Sequence, residues 1–217
     1  SYYVKLFENY GFQNYFNQYT YQRNMKAGEF NPNVYARVKR LEETPGYRFE
    51  HIDKRNLPQI AEDFRMIYNK AWANFPGVRP MSKEQAQKIM NNLKPIIDEK
   101  LIYFAFFNDE PVGFFIMVPD LNRVIGRFHG KLNLINQLRL LLMLRFTNKA
   151  DRIFAIIFGV SPEYHGRGIE SAIMHEFEQA VARGEVNYKT LELAWMGDFN
   201  PLMIRMVETY VCAQKNK

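Results

Sequence analysis

The chain has 217 residues, with 29 Lys and Arg against 23 Asp and Glu, for a formal net charge of +6. Apolar residues at 47% and aromatics at 15% exclude a disordered chain and provide for a real core. The single Cys212 excludes an internal disulfide framework, and the four histidines show no His-x-x-x-His spacing, so no metal is expected.

A reducing, cytoplasmic setting is the expectation. No segment reaches ~18 uncharged apolar residues, and the first ten residues lack the charged-then-apolar order of a signal peptide. The excess charge is local. Arg123, Arg127, Lys131, Arg139, Arg145, Lys149 and Arg152 face only Asp151 in residues 121–152, and the rest of the chain balances at 22 against 22.

In chain order, Tyr3, Leu6, Phe7 and Tyr10 share one helical face, and Gly11 follows as a cap. The aromatic and amide-rich Phe12–Tyr21 reads as a strand. Residues 23–46 read as a linker with a short helix around Val34–Leu41. From Tyr47 the main domain begins with a strand to Ile52. An amphipathic helix follows, with Leu57, Ile60, Ala61, Phe64, Ile67 and Ala71 on one face. Ser82 and Gln85 form a capping box before a second helix with Ala86, Ile89, Met90 and Leu93 inward.

Leu101–Phe107 and Pro111–Val118 are strands joined by a turn at Asn108-Asp109-Glu110. Arg152–Val160 is apolar on both faces, as a central strand would be. A helix through Ile169, Ala172, Ile173, Phe177 and Val181 follows, then a strand at Lys189–Trp195. Asn200 and Pro201 open a last helix as N-cap and first position. The pattern predicts an α/β domain with a mixed central sheet flanked by helices. Leu132, Leu134, Ile135, Leu138, Leu141, Leu142 and Leu144 give the insert at 121–152 a helical spacing. Its apolar face is expected inward and its cations outward, beside the glycine-rich loop.

That loop is Val160-Ser-Pro-Glu-Tyr-His-Gly-Arg-Gly-Ile169, between the central strand and a helix. Gly166 and Gly168 allow a tight turn and close approach to a ligand. Free N–H groups and the helix dipole favour an anion there. The loop is neither a Walker loop nor the dinucleotide fingerprint, since Gly-Lys-Ser/Thr and the third glycine are missing.

In this context the stretch resembles the acyl-CoA loop of the GNAT N-acetyltransferase superfamily, with the element order agreeing over residues 47–212. Asn69-Lys-Ala-Trp72, Arg79-Pro-Met-Ser82, Pro119-Asp-Leu-Asn122, Gly130-Lys-Leu132 and Glu192-Leu-Ala-Trp195 resemble a bacterial group of about twice this length. That group is built from GNAT-like halves and has no established substrate. The resemblance makes residues 1–22 the tail of an upstream half, 23–46 a linker and 47–217 the acyltransferase domain. Tyr2–Tyr10 echoes Leu202–Tyr210 in support. The last strands of the domain are expected to be missing or supplied by the N-terminal segment, within one chain or by exchange in a dimer.

The resemblance implies acetyl-CoA or another acyl-CoA as co-substrate, held by Phe158, Val160, His165, Gly166, Arg167, Gly168, Ile169, Glu170 and Asn200. It also implies amine attack on the thioester, with the strand ending at Val160 splayed to offer N–H donors. Glu192 is the candidate base or, alternatively, the partner of a neighbouring cation. Tyr103 is a candidate acid. Asn69, Trp72, Asp120 and Asn122 are candidates for the acceptor side, against core, turn and cap roles.

Three departures stand out. His165 holds the first motif position, Glu170 brings a carboxylate toward the phosphate site, and Val207 replaces a Tyr that acts as general acid in many members. The expected function is an acyl-CoA-dependent N-acyltransferase for a small-molecule amine or peptide, as monomer or homodimer. The alternative is a GNAT-like acyl-CoA-binding or structural domain with impaired catalysis. Neither nucleic acid nor membrane is an expected partner, because the basic insert lacks interleaved aromatics.

Overall fold

A computed structural model describes residues 2–25, 32–73, 77–128, 133–146, 151–209 and 211–215. The first helix, α1 (Tyr3–Asn9), buries no residue. Then come β1 (Gln18–Asn24), α2 (Pro32–Glu42), β2 (Tyr47–His51), α3 (Leu57–Ala71) and α4 (Lys83–Leu93). They are followed by β3 (Ile102–Phe107), β4 (Glu110–Pro119), α5 (Asn122–Ile125) and α6 (Leu134–Phe146). The chain continues with β5 (Arg152–Val160), α7 (Ile169–Ala182), β6 (Thr190–Gly197), α8 (Pro201–Thr209) and β7 (Gln214–Lys215).

The seven strands form one mixed sheet in the order β2-β3-β4-β5-β6-β1-β7. Among the described residues only the β5–β6 pair is parallel. Alternation along β3 divides the core. Ile102 and Phe104 join Phe64, Ile67 and Met90 of α3 and α4. Tyr103 and Ala105 join Val38 of α2 with Ile173 and Phe177 of α7.

Local chemistry explains the predicted elements. Asn108 and Asp109, at φ 50 and 64, make the left-handed two-residue turn that joins β3 to β4. Ser82 and Gln85 complete the capping box of α4. Ile89 is a correction, for it is exposed while Ala86 and Met90 are buried.

The N-terminal strand is displaced from its expected span. Asn14 and Asn17 bond to each other, and the Asn17 amide donates to Asp198 at 2.8 Å. These asparagines favour irregular backbone, so the strand begins only at Gln18. From there β1 lies antiparallel between β6 and the two-residue β7. Tyr21 is buried, and its hydroxyl donates to Glu208 of α8 at 2.6 Å. An N-terminal strand thus completes the sheet within one chain.

The insert also differs from expectation. Its Gly130-Lys-Leu132 stretch and Lys149 lie outside the described residues. On α6, Leu140 is buried, but Ile135, Leu138 and Leu142 face solvent together with Arg139. The insert leaves the sheet at Pro119 and returns at Arg152, whereas the glycine-rich loop starts at the other end of β5. Nine residues of strand separate them, roughly 27 Å. Among the described residues no helix is long and apolar enough to cross a membrane.

Candidate functional site

The ladder between β5 and β6 runs only from Arg152–Thr190 to Ala155–Leu193, and beyond it the strands part. Each strand carries an extra residue at this point. On β5, Ile157 pairs with Ile116 while Ala155 pairs with Met117, which leaves Ile156 over. On β6, one β1 residue between Tyr19 and Tyr21 faces both Ala194 and Trp195. Such bulges raise local twist and end pairing. Trp195 takes φ 67, a left-handed conformation that is costly for a bulky residue.

The opening is a cleft of about 220 Å³ through the sheet. Trp72 lines it from the α3 side, and Met174, Met203 and Met206 from the α7 and α8 side. Asn200 contributes an amide, the one side chain among the described lining residues that can accept a hydrogen bond through oxygen. It also caps α8, accepting from the Met203 N–H at 3.2 Å.

Two glycines shape the walls. A Cβ on Gly159 of β5 would stand 2.8 Å from Cζ3 of Trp72. On Gly197 of β6 it would overlap the Phe199 ring. Each splayed strand therefore carries an aromatic ring laid on bare backbone.

Backbone donors face the cleft. The Ser161 N–H bonds to the Val112 carbonyl at 2.8 Å on the β4 side. Alternation then turns the N–H of Val160 away from β4, and that of Phe158 likewise. Nε2 of His165 lies 2.9 Å from the Val160 carbonyl. That oxygen only accepts, so His165 donates and holds the strand end.

The loop then turns through Gly166 at φ 74 and Gly168 at φ 93, the second capping α7. A non-glycine residue pays 1–2 kcal/mol or so for such a backbone, at roughly the level of a hydrogen bond. The first N–H groups of α7, at Ile169, Glu170 and Ser171, lack intrahelical partners, and the dipole makes them attractive to an anion. Arg167 is exposed, its guanidinium 5.0 Å from the Tyr164 ring. Glu170 lies half-buried in this first turn.

Phe158, Trp72 and Asn200 are thus brought to one cleft, and β5 runs on from Phe158 through Val160 into the loop that carries His165 and Glu170. Other candidates lie elsewhere. Tyr103 is buried among Phe177 and His51, its hydroxyl without a hydrogen-bond partner, and burial pushes its pKa up. It is not among the described residues that line the cleft. The Asn69 amide donates to the Met81 carbonyl at 3.0 Å and accepts from the Met81 N–H at 2.7 Å, so it pins a loop.

Asp120 is buried and accepts from the Asn122 N–H at 2.9 Å, while Asn122 itself is exposed at the start of α5. Glu192 pairs with Arg152 at 2.7 Å, and Asp120 lies 3.9 Å from the same guanidinium. These three charges form a half-buried cluster near the insert end of β5. Val207 is fully buried.

A relative described as "Bacterial ceramide synthase" from Caulobacter vibrioides is 25% identical over 169 residues, covering 75% of this chain and 43% of the relative. "Protein YghO" of Escherichia coli is 24% identical over 162 residues, covering 72% of this chain and 40% of that protein. The chain thus spans less than half the length of these curated relatives. The crystal structure of a GCN5-related N-acetyltransferase from Sphaerobacter thermophilus superposes with a TM-score of 0.53 at 14% identity, covering 89% of this chain and 46% of that one. It shares the fold. The sequence pattern of the Acetyltransferase (GNAT) family matches residues 64–209, well over half of the chain, and the chain belongs to this family.

Proposed function

We propose that this chain is an acyl-CoA-dependent N-acyltransferase. The observation that carries the reading is the parting of β5 and β6 beside a glycine turn at a helix N-terminus. It joins an oxyanion-type donor pair to an anion site. The Gly166–Gly168 turn, the first N–H groups of α7 and the Arg167 cation fit the phosphates of CoA. The cleft N–H groups of Phe158 and Val160 fit amide and thioester carbonyls, and Asn200 offers a polar side chain beside the chain of the donor. A relative named as a ceramide synthase agrees with acyl transfer.

The acceptor is an amine. Its nitrogen bonds to the thioester carbonyl carbon, and the carbon–sulfur bond breaks. The thiolate of CoA takes up a proton, and the ammonium proton passes to solvent. A backbone N–H aimed at the carbonyl oxygen stabilises the charge that develops there.

Among the described residues no carboxylate or imidazole lines the cleft. The amine therefore reacts as the free base, and kcat/KM is expected to rise along the titration of the amine itself. Measuring amide product and free thiol across pH tests this. A profile that follows an enzyme group and ignores the choice of amine contradicts it. Burial of Val207 and the carboxylate of Glu170 favour a second reading, an acyl-CoA-binding domain without turnover. Ligand binding with no thiol release supports that one.

A further inference from the structure

The geometry points to a long aliphatic chain as the occupant of the β5–β6 cleft, carried by the acyl donor or by the amine, with Trp195 and Phe199 as its rim. This inference rests on the acyltransferase reading and names its substrate class.

The first observation is the lining. Among the described residues the cleft presents no charged side chain, and its polar side-chain groups are few: the indole N–H groups of Trp72 and Trp195 and the amide of Asn200, whose oxygen caps α8. Met174, Met203 and Met206 give one wall flexible, polarizable side chains that fit an irregular apolar guest.

The second is the mouth. Ile156, Trp195 and Phe199 all line the cleft yet are 60%, 81% and 64% exposed. Isolated exposed apolar residues are ordinary. Here they continue the apolar cleft outward, and Phe16 extends them, edge-on to Phe199 at 5.2 Å. A contiguous apolar surface of this kind marks a binding groove.

The third is strain at the rim. Trp195 holds a left-handed backbone while its ring makes little use of the core. Strain of this sort persists where it positions a side chain for function. Just past the end of the same strand the Phe199 ring rests on Gly197, where any side chain would displace it. An acetyl group would leave these rings uncovered, whereas an extended alkyl chain leaving the cleft would run over them.

Each methylene moved from water into an apolar site gains up to about fourfold in affinity. The test is a titration of the chain with CoA, acetyl-CoA, octanoyl-CoA and lauroyl-CoA. A parallel arm uses butylamine, octylamine and dodecylamine in the presence of CoA. The expected result is affinity that climbs with length in at least one series, by up to about fourfold per methylene, and a shallower climb in Trp195→Gly. The acyl arm rising assigns the chain to the donor, and the amine arm rising assigns it to the acceptor. CoA binding with no dependence on length in either series overturns the inference and leaves the acyltransferase reading standing. Failure of CoA and every thioester to bind overturns both.

Discussion

Replacing Gly159 by Ala probes the wall of the cleft directly. No left-handed φ marks this position, so the β5 backbone accepts alanine, and a strand glycine exchanged for alanine gains roughly 0.5–1 kcal/mol on entropic grounds. Sterics oppose the gain. The new methyl would lie 2.8 and 2.9 Å from two Trp72 ring atoms and 3.0 Å from Cζ of Phe114. Phe114 is fully buried and has nowhere to go, whereas Trp72 is half-buried and can tilt into the cleft. Overpacking of this kind costs about 1–3 kcal/mol, so the net loss spans about 0–2.5 kcal/mol and centres on about 1.3 kcal/mol. At roughly 2–4 °C per kcal/mol for a chain of this size, that central loss lowers Tm by about 3–5 °C. Urea unfolding and a thermal melt measure it, and Trp72→Leu in the same chain should recover part of the loss through coupling of the two sites. A Gly159→Ala chain as stable as the parent would refute the claim that Gly159 exists to seat Trp72.

Trp195→Gly removes an exposed ring and relieves a left-handed backbone. Stability should hold or rise by up to about 1 kcal/mol, and a loss larger than that would show that the ring is structural. Tyr21→Phe deletes the hydroxyl that bonds to Glu208, one of the ties that hold β1 in the sheet. A loss of about 1.5 kcal/mol in urea unfolding is expected, and no loss would detach β1 from the account. Burial holds the Asp63 carboxyl above its ordinary range, so the folded chain binds that proton more tightly than the unfolded one. This group favours the fold at acid pH and loses that contribution as pH rises through its folded value. Asp63→Asn should therefore gain stability relative to the parent as pH rises from 4 toward 7, and a difference independent of pH would contradict the sign.

What could be read in the sequence was set by local rules. The helix at 57–71 follows from its apolar spacing, the β3–β4 turn from Asn108 and Asp109, and the start of α8 from Asn200 and Pro201. The loop at 160–169 was legible because glycine before a helix has a specific backbone use. What pairs distant strands was not. Glu192 meets Arg152 only through the parallel register of β5 and β6, and its side chain is held in an ion pair there. Trp195 was read as part of an alternating strand, but a bulge against β1 breaks the alternation and sends the ring outward. Gly159 and Gly197 carry a local signal of their role, since glycine inside a strand pattern marks close approach, but the rings they seat come from the fold. The apolar stripe on α6 was assigned inward on spacing alone, and periodicity does not say which side faces the domain.

Isothermal titration of the chain with acetyl-CoA and CoA tests the central claim most directly. The account predicts saturable binding at one site, at concentrations on the order of millimolar or below, weakened by Arg167→Ala and by added salt. Absence of heat and of a thermal shift at millimolar ligand would contradict it.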